Sequence, residues 1–259
     1  MKKITIALAA PILAFVLQPS IAGAETLKYV GSSTVGKFIA DAGKVYAGTR
    51  ITSNTRPESS GGESCPASGS CDIGGVARAV KSQFLDKGVV PTLIGKDAIA
   101  VIVHRDNPVK ALTTAQLKGI FTGKIKNWSE LGGPDLAINA YVVKKGSATR
   151  KVFANKVLGG AKYQGAKVVT PDAKMVTTVI RDKGAIGQIS FAFLSGKKAV
   201  VAVAINGQAA TVENPDYPIT RPLHLTTKGT PQGEAKAFIA WALSPAGQKV
   251  VKQRFVGVN

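Results

Sequence analysis

Three short runs in the 259-residue chain combine glycine with hydroxyl side chains: Gly31-Ser32-Ser33-Thr34, Ser59-Ser60-Gly61-Gly62 and Gly146-Ser147-Ala148-Thr149. Each stands where an extended segment gives way to a helix. A helix N-terminus presents unpaired backbone N–H groups and a partial positive charge, so it holds an anion without a cationic side chain. Ser and Thr hydroxyls add donors, and glycine lets the backbone come close. Any one such run is what an ordinary N-cap uses. Three in one chain point toward a shared pocket for an oxyanion.

Other chemistries are poorly supplied. His104 and His224 are the only histidines and stand apart from the two cysteines. The chain therefore offers neither a zinc site nor the metal ligands or activated nucleophile that phosphate-ester hydrolysis needs. No enzyme, metal or cofactor is expected. Lys and Arg number 34 against 15 Asp and Glu, a formal +19, with 45% hydrophobic and 6% aromatic residues. That is too apolar for a disordered basic tail and too weakly aromatic for a nucleic-acid binder that works by stacking. The basic residues are spread along the chain, with brief runs only at Lys144-Lys145 and Lys197-Lys198. A surface binder of polyanions, driven by charge and steeply salt-dependent, is the competing reading.

The elements that must position these runs follow from apolar patterning. Lys2 and Lys3, an apolar stretch over 4–17 and Ala22-Gly23-Ala24 read as an export signal cleaved after Ala24. Residues 1–24 are set aside on that reading, which removes two of the positive charges and makes the product periplasmic or secreted. Strands are expected at 27–30, 50–54, 72–76, 98–104, 138–143, 185–190 and 199–205. Helices are expected from the first run to about Tyr46, then at 113–121, from the third run to about Leu158, and at 173–181. Two more should follow from 233 to 255, divided at Ser244-Pro245. The alternation reads as α/β. In an exported chain Cys65 and Cys71, bracketing a turn-rich loop, read as a short-loop disulfide.

Further motifs stand in a telling order: Asp72-Ile73-Gly74-Gly75, the stretch from Lys96 to Pro108, the block from Leu112 through Trp128 to Gly132, then Gly184-Ala185-Ile186-Gly187. With the three hydroxyl runs, they resemble the phosphate-binding proteins of ABC transporters over nearly all of the mature chain. The resemblance implies a two-lobed periplasmic-binding-protein fold, each lobe a doubly wound sheet, joined by two crossover hinge strands. It implies lobe 1 from 25–103 plus 206–259 and lobe 2 from 104–205, with the ligand between them. Its ligand would be inorganic phosphate or a similar oxyanion, and its partner an ABC-transporter permease. The protein is expected to be a monomer without nucleic acid.

Carried over by position, the resemblance implies ligand contacts at Ser33 and Thr34, at Ser60 and Gly61, and at Ser147, Ala148 and Thr149, with Ala148 in place of a usual glycine. Arg78 matches an arginine of many relatives; a guanidinium suits a tetrahedral oxyanion because it donates two parallel bonds. Ser32, Glu63 and Arg150 are weaker candidates. Trp128 is expected to pack and cap in the second lobe. The sequence departs from the family where a carboxylate and an arginine usually stand: Val76-Ala77 follows the third strand, and Val143-Lys144-Lys145 precedes the third run. A carboxylate there would accept from P–O–H and so reject sulfate. Glu63, Glu58 or Asp72 must replace it, or the ligand is another oxyanion: sulfate, arsenate, molybdate or a phosphonate.

Overall fold

The computed structural model describes residues 25–258 except 195 and 197. The expected export signal lies outside the described residues. In chain order the strands are β1 (Glu25–Gly31), β2 (Thr49–Asn54), β3 (Ile73–Val76), β4 (Val89–His104), β5 (Ala111–Leu112), β6 (Asn139–Val143), β7 (Lys167–Val169), β8 (Ala185–Ser190), β9 (Val200–Ala202), β10 (Ala204–Ile205), β11 (Thr220–Lys228) and β12 (Val256–Gly257). The α-helices are α1 (Ser33–Ala42), α2 (Glu58–Ser68), α3 (Ser82–Leu85), α4 (Thr114–Phe121), α5 (Ala148–Phe153), α6 (Lys174–Ile180), α7 (Gly233–Leu243) and α8 (Pro245–Val251).

One continuous strand path runs β2-β1-β3-β11-β4-β8-β6-β7. It divides into two mixed sheets that share β4. The first has β2, β1 and β3 parallel, with β11 antiparallel to β3 and β4 antiparallel to β11. The second has β8 and β9 antiparallel to the far half of β4, then β6 and β7 parallel to β8. Both sheets are α/β; β4 crosses from the first lobe into the second, and the chain returns through the residues that lead into β11.

Burial explains why β4 is so long. Ile99, Val101 and Val103 pack with Phe121, Trp128 and Phe153, while Ala100 and Ile102 pack with Met175, Val179 and Ile189. Alternate residues face opposite clusters, so a strand covered on both sides is apolar throughout. Its first half, Val89–Asp97, has exposed positions and a proline and lies outside the strand expected at 98–104. The other lobe gathers Leu27, Tyr29, Phe38, Ile73, Leu223, Leu225 and Phe238 into its own core. Trp128 is fully buried and donates its indole N–H to the Gly184 carbonyl at 3.0 Å, while Asn127 and Glu130 close a capping box around its turn.

The strand partners change hands at one level. Residues 89–98 of β4 face β11, whereas Ile99 onward faces β8. On the return, Tyr217 and Ile219 still pack in the second lobe's core. The exchange of partners falls near 97/98 and 219/220, and we propose these as the division, which makes the second lobe longer than the 104–205 implied by the resemblance. At that level Arg221 stands directly opposite Asp97 in the β11–β4 register.

Candidate functional site

Ser32 is the N-cap of α1, its Oγ accepting from the Thr34 and Val35 N–H groups at 3.2 and 3.4 Å. In the second lobe Ser147 caps α5, accepting from the Thr149 N–H at 3.2 Å. Ala148 is helical with a negative φ and packs against the first lobe's apolar cluster, so its methyl group is part of the lobe contact.

Arg221 joins the two runs. Its Nη2 donates to Thr34 Oγ1 at 2.9 Å and its Nη1 donates to Thr149 Oγ1 at 3.0 Å. Its Nε donates to Asp97 Oδ2 at 2.9 Å, and Nη2 lies 2.8 Å from the same oxygen. Arg221, Asp97, Thr34 and Thr149 are all buried. Because each threonine hydroxyl accepts from the guanidinium, its own hydrogen remains to be donated elsewhere. One donor from each of the two runs is thus fixed at one point by a residue at the level where β4 changes partners. Burial raises the Asp97 carboxyl pKa, and Arg221 opposes that rise.

Two carboxylates complete the cluster. Glu58, at the start of α2, sits at φ 56°, a left-handed conformation uncommon for a residue with a Cβ. Held that way, its Oε2 accepts from the Ser33 N–H at 2.9 Å and from Ser33 Oγ at 3.0 Å. Asp172, in the loop before α6, accepts from Ser147 Oγ at 2.5 Å. Both carboxylates are buried. Burial, and then the negative charge of Asp172, push Glu58 up to about 7, against the Ser33 bonds and Lys144. Burial also raises Asp172, while Ser147, Arg221 and Lys144 act to lower it. The two groups feel each other across the lobes.

The second run meets the third directly: Ser60 Oγ donates to the Gly146 carbonyl at 3.4 Å. Gly61 is buried, its N–H 3.2 Å from the Pro57 carbonyl. Lys144 Nζ also crosses to the Arg56 carbonyl. Close approach requires glycine at Gly62, where a Cβ would lie 2.1 Å from the Gly75 carbonyl oxygen. That contact lets α2 lie directly on β3. The Cys65–Cys71 disulfide ties α2 to the segment entering β3.

Other candidates lie elsewhere. Arg78 and Glu63 pair with each other: Nη1 meets Oε1, and Nη2 donates to Oε2 at 2.8 Å. A third Arg78 bond goes to the Ala79 carbonyl, and the Lys81 N–H donates to Glu63. Burial would raise Glu63, but Arg78 and Lys81 hold it below the usual carboxylate range. Among the described residues no side-chain hydrogen bond or ion pair joins Arg78 or Glu63 to the three runs. Arg78 instead shares with Arg221, Lys81, Lys151 and Lys156 the wall of a groove of about 390 Å³. Arg150 donates to the Val143 carbonyl at 3.0 Å and lies over the Tyr163 ring. Asp72 is exposed and accepts the Lys28 N–H.

Arg221, Asp97 and Asp172 were not among the residues expected from sequence. A signal existed for Arg221, which shares a period-two face with the buried Leu223 and Leu225, an unusual place for a charge. Asp172 precedes a helix, where aspartate ordinarily reads as a cap.

Residues 18–246 match the family model described as the PBP superfamily domain. The phosphate-binding protein PstS of Bacillus subtilis is 37% identical over 180 residues, covering 67% of this chain and 59% of that protein. The chain thus spans under two thirds of that relative's length. A PstS of Staphylococcus epidermidis is 28% identical over 243 residues, 84% of this chain and 74% of the relative. Among solved structures, a Clostridium perfringens protein described as a phosphate ABC transporter substrate-binding protein, with bound phosphate, superposes with a TM-score of 0.83 at 32% identity. It covers 91% of this chain and 100% of its own. An ABC-type phosphate transport receptor from Vibrio cholerae gives 0.72 at 25% identity, over 90% of this chain and 100% of its own. The fold is that of the two-lobed periplasmic binding proteins, and the chain belongs to the PBP superfamily.

Proposed function

We propose that this protein captures inorganic phosphate between its lobes and delivers it to the permease of an ABC transporter. The observation that carries the reading is Arg221, which holds Thr34 of one lobe and Thr149 of the other as donors at one buried point. Glu58 and Asp172 stand at that point as acceptors. Phosphate keeps a proton at neutral pH, so it can satisfy donors and acceptors together. A fully ionised oxyanion would leave a buried acceptor unpaired, and such mismatches discriminate strongly. The resemblance to PstS proteins and to a phosphate-bound structure supports the same choice. Closure would follow the hinge mode, with β4 and β11 flexing while ligand contacts from both lobes favour the closed state. We further assign export to the periplasm or cell exterior and action as a monomeric carrier without catalysis. Among the described residues no helix is long and apolar enough to cross a membrane, and no cluster of three His, Cys, Asp or Glu could hold a metal.

Titration calorimetry of ligand-free protein with phosphate, arsenate, sulfate and molybdate tests this. Phosphate and arsenate should bind tightly, and sulfate and molybdate at least about a hundredfold more weakly, because they present no proton to the carboxylates. Absence of tight phosphate binding would overturn the reading.

A further inference from the structure

The cluster contains more acceptors than recognition of one P–O–H requires. Glu58 belongs to the first lobe and Asp172 to the second, and each is held by the serine of a ligand run. Both Ser33 bonds fall on Glu58 Oε2, and no hydrogen bond among the described residues uses Oε1. The Ser147 bond falls on Asp172 Oδ2, and Oδ1 is buried without a partner among the described residues. Since Ser33 and Ser147 spend their hydroxyl hydrogens on these carboxylates, they position acceptors. The donors left to a ligand are Thr34 and Thr149, fixed by Arg221. The site therefore offers two hydroxyl donors and two free carboxylate oxygens, one of each per lobe.

We propose that Glu58 and Asp172 form a two-lobe acceptor pair that selects monobasic phosphate, H2PO4−, over the dibasic ion. The inference rests on the phosphate reading above and specifies which ionic form is taken. H2PO4− carries two P–O–H groups for the carboxylates and two further oxygens for the threonines, so every partner is satisfied. The dibasic ion has one P–O–H and leaves one buried carboxylate facing a phosphate oxygen, with two negative groups in contact. Above the second ionisation of phosphate the solvent must supply the missing proton: HPO4²⁻ plus H⁺ gives the bound H2PO4−, with no bond to the protein formed or broken.

The charged groups around the pair do not cancel this requirement. Lys144 acts on both carboxylates, Arg221 acts on Asp172 while bound to Asp97, and the Tyr29 phenol lies near Glu58. With Arg221 neutralised by Asp97, one lysine faces two carboxylates and the ligand. Glu58 already titrates near neutrality in this environment, in keeping with a site short of positive charge.

The test is calorimetric titration of the whole exported protein with inorganic phosphate from pH 5.5 to 8.5, in two buffers of different ionisation enthalpy. The expected affinity for total phosphate is greatest near pH 7 and lower at pH 5.5, where a protonated Glu58 offers a donor in place of an acceptor. It falls about tenfold per pH unit above 7.5, with uptake of one proton per phosphate bound at pH 8.5. The near-isosteric Glu58→Gln and Asp172→Asn variants each replace an acceptor by a group that can donate. Each should flatten the fall to less than about threefold per unit and admit sulfate. A wild-type profile that stays flat to pH 8.5 without proton uptake would overturn the acceptor pair while leaving the phosphate reading intact. No phosphate binding at any pH would overturn the phosphate reading itself.

Discussion

Two buried arginine–carboxylate pairs stand among the described residues, and they differ in where the remaining N–H groups go. Arg78 and Glu63 belong to one lobe, and the partners of the pair are the Ala79 carbonyl and Lys81 close by. Arg221 and Asp97 face each other across β11 and β4 where the strands pass between lobes, and Arg221 reaches Thr34 on one side and Thr149 on the other. The first pair anchors a loop. The second joins the first hydroxyl run to the third. Arg78 stands nearer to the ligand motifs in sequence, yet convergence is decided by topology, and Arg221 stands where the chain passes from one lobe to the other.

The largest effects should separate the pairs by readout. Arg78→Met leaves Glu63 buried without its main counter-ion and should cost about 3–5 kcal/mol of stability, measured by denaturant unfolding. Phosphate affinity of the protein that remains folded should change less than about threefold. Arg221→Met should cost a similar amount of stability and, in addition, lower affinity more than about a hundredfold, since both donors lose their anchor. Equal affinity losses in the two variants would erase the distinction drawn here.

Removing single donors comes next. Thr34→Val and Thr149→Val keep shape and lose a hydroxyl, and each should weaken phosphate binding by about 1.5–3 kcal/mol, the range for hydrogen bonds to charged groups. Titration calorimetry reads this directly. A loss confined to one variant would mean that only one lobe supplies a hydroxyl donor.

The smallest effect is the pH dependence of ligand-free stability, and the two regions should show opposite signs. Glu58 is raised to about 7 from 4.5, so between those values the folded protein holds more protons than the unfolded chain. Its contribution is present at low pH and is lost as pH rises through 7, by at most about 1.4 kcal/mol per pH unit. Glu63 is lowered, so its contribution is present above the usual carboxylate range and is lost on acidification. Thermal melts from pH 3 to 8 should show both slopes. Glu58→Gln should remove only the upper one.

Much of this was legible before any coordinates. The helices opened by Ser33 and Ala148, the pair split at Ser244-Pro245 and the apolar half of β4 follow from capping and burial patterns. What escaped was β11, a segment given no element in the sequence reading because its order depends on pairing with a distant strand. The expected strand over 199–205 is divided into β9 and β10, which pair with β4 and β5 respectively. At the site, the runs carrying Thr34 and Thr149 were visible because local capping writes hydroxyls into sequence. The carboxylates proposed for the acceptor role, Glu58 and Asp172, are far apart in sequence, and only the folded chain brings them close enough for one to act on the other. Glu58 was one of three acidic residues weighed for that place; Asp172 had no local pattern to mark it.

The most direct measurement of the central claim is a crystal structure of the protein grown with inorganic phosphate. Phosphate should lie between the lobes, within hydrogen-bond distance of Thr34 Oγ1 and Thr149 Oγ1, with protonated oxygens facing Glu58 and Asp172. Phosphate found instead on Arg78, or on surface lysines with the lobes apart, would contradict the account.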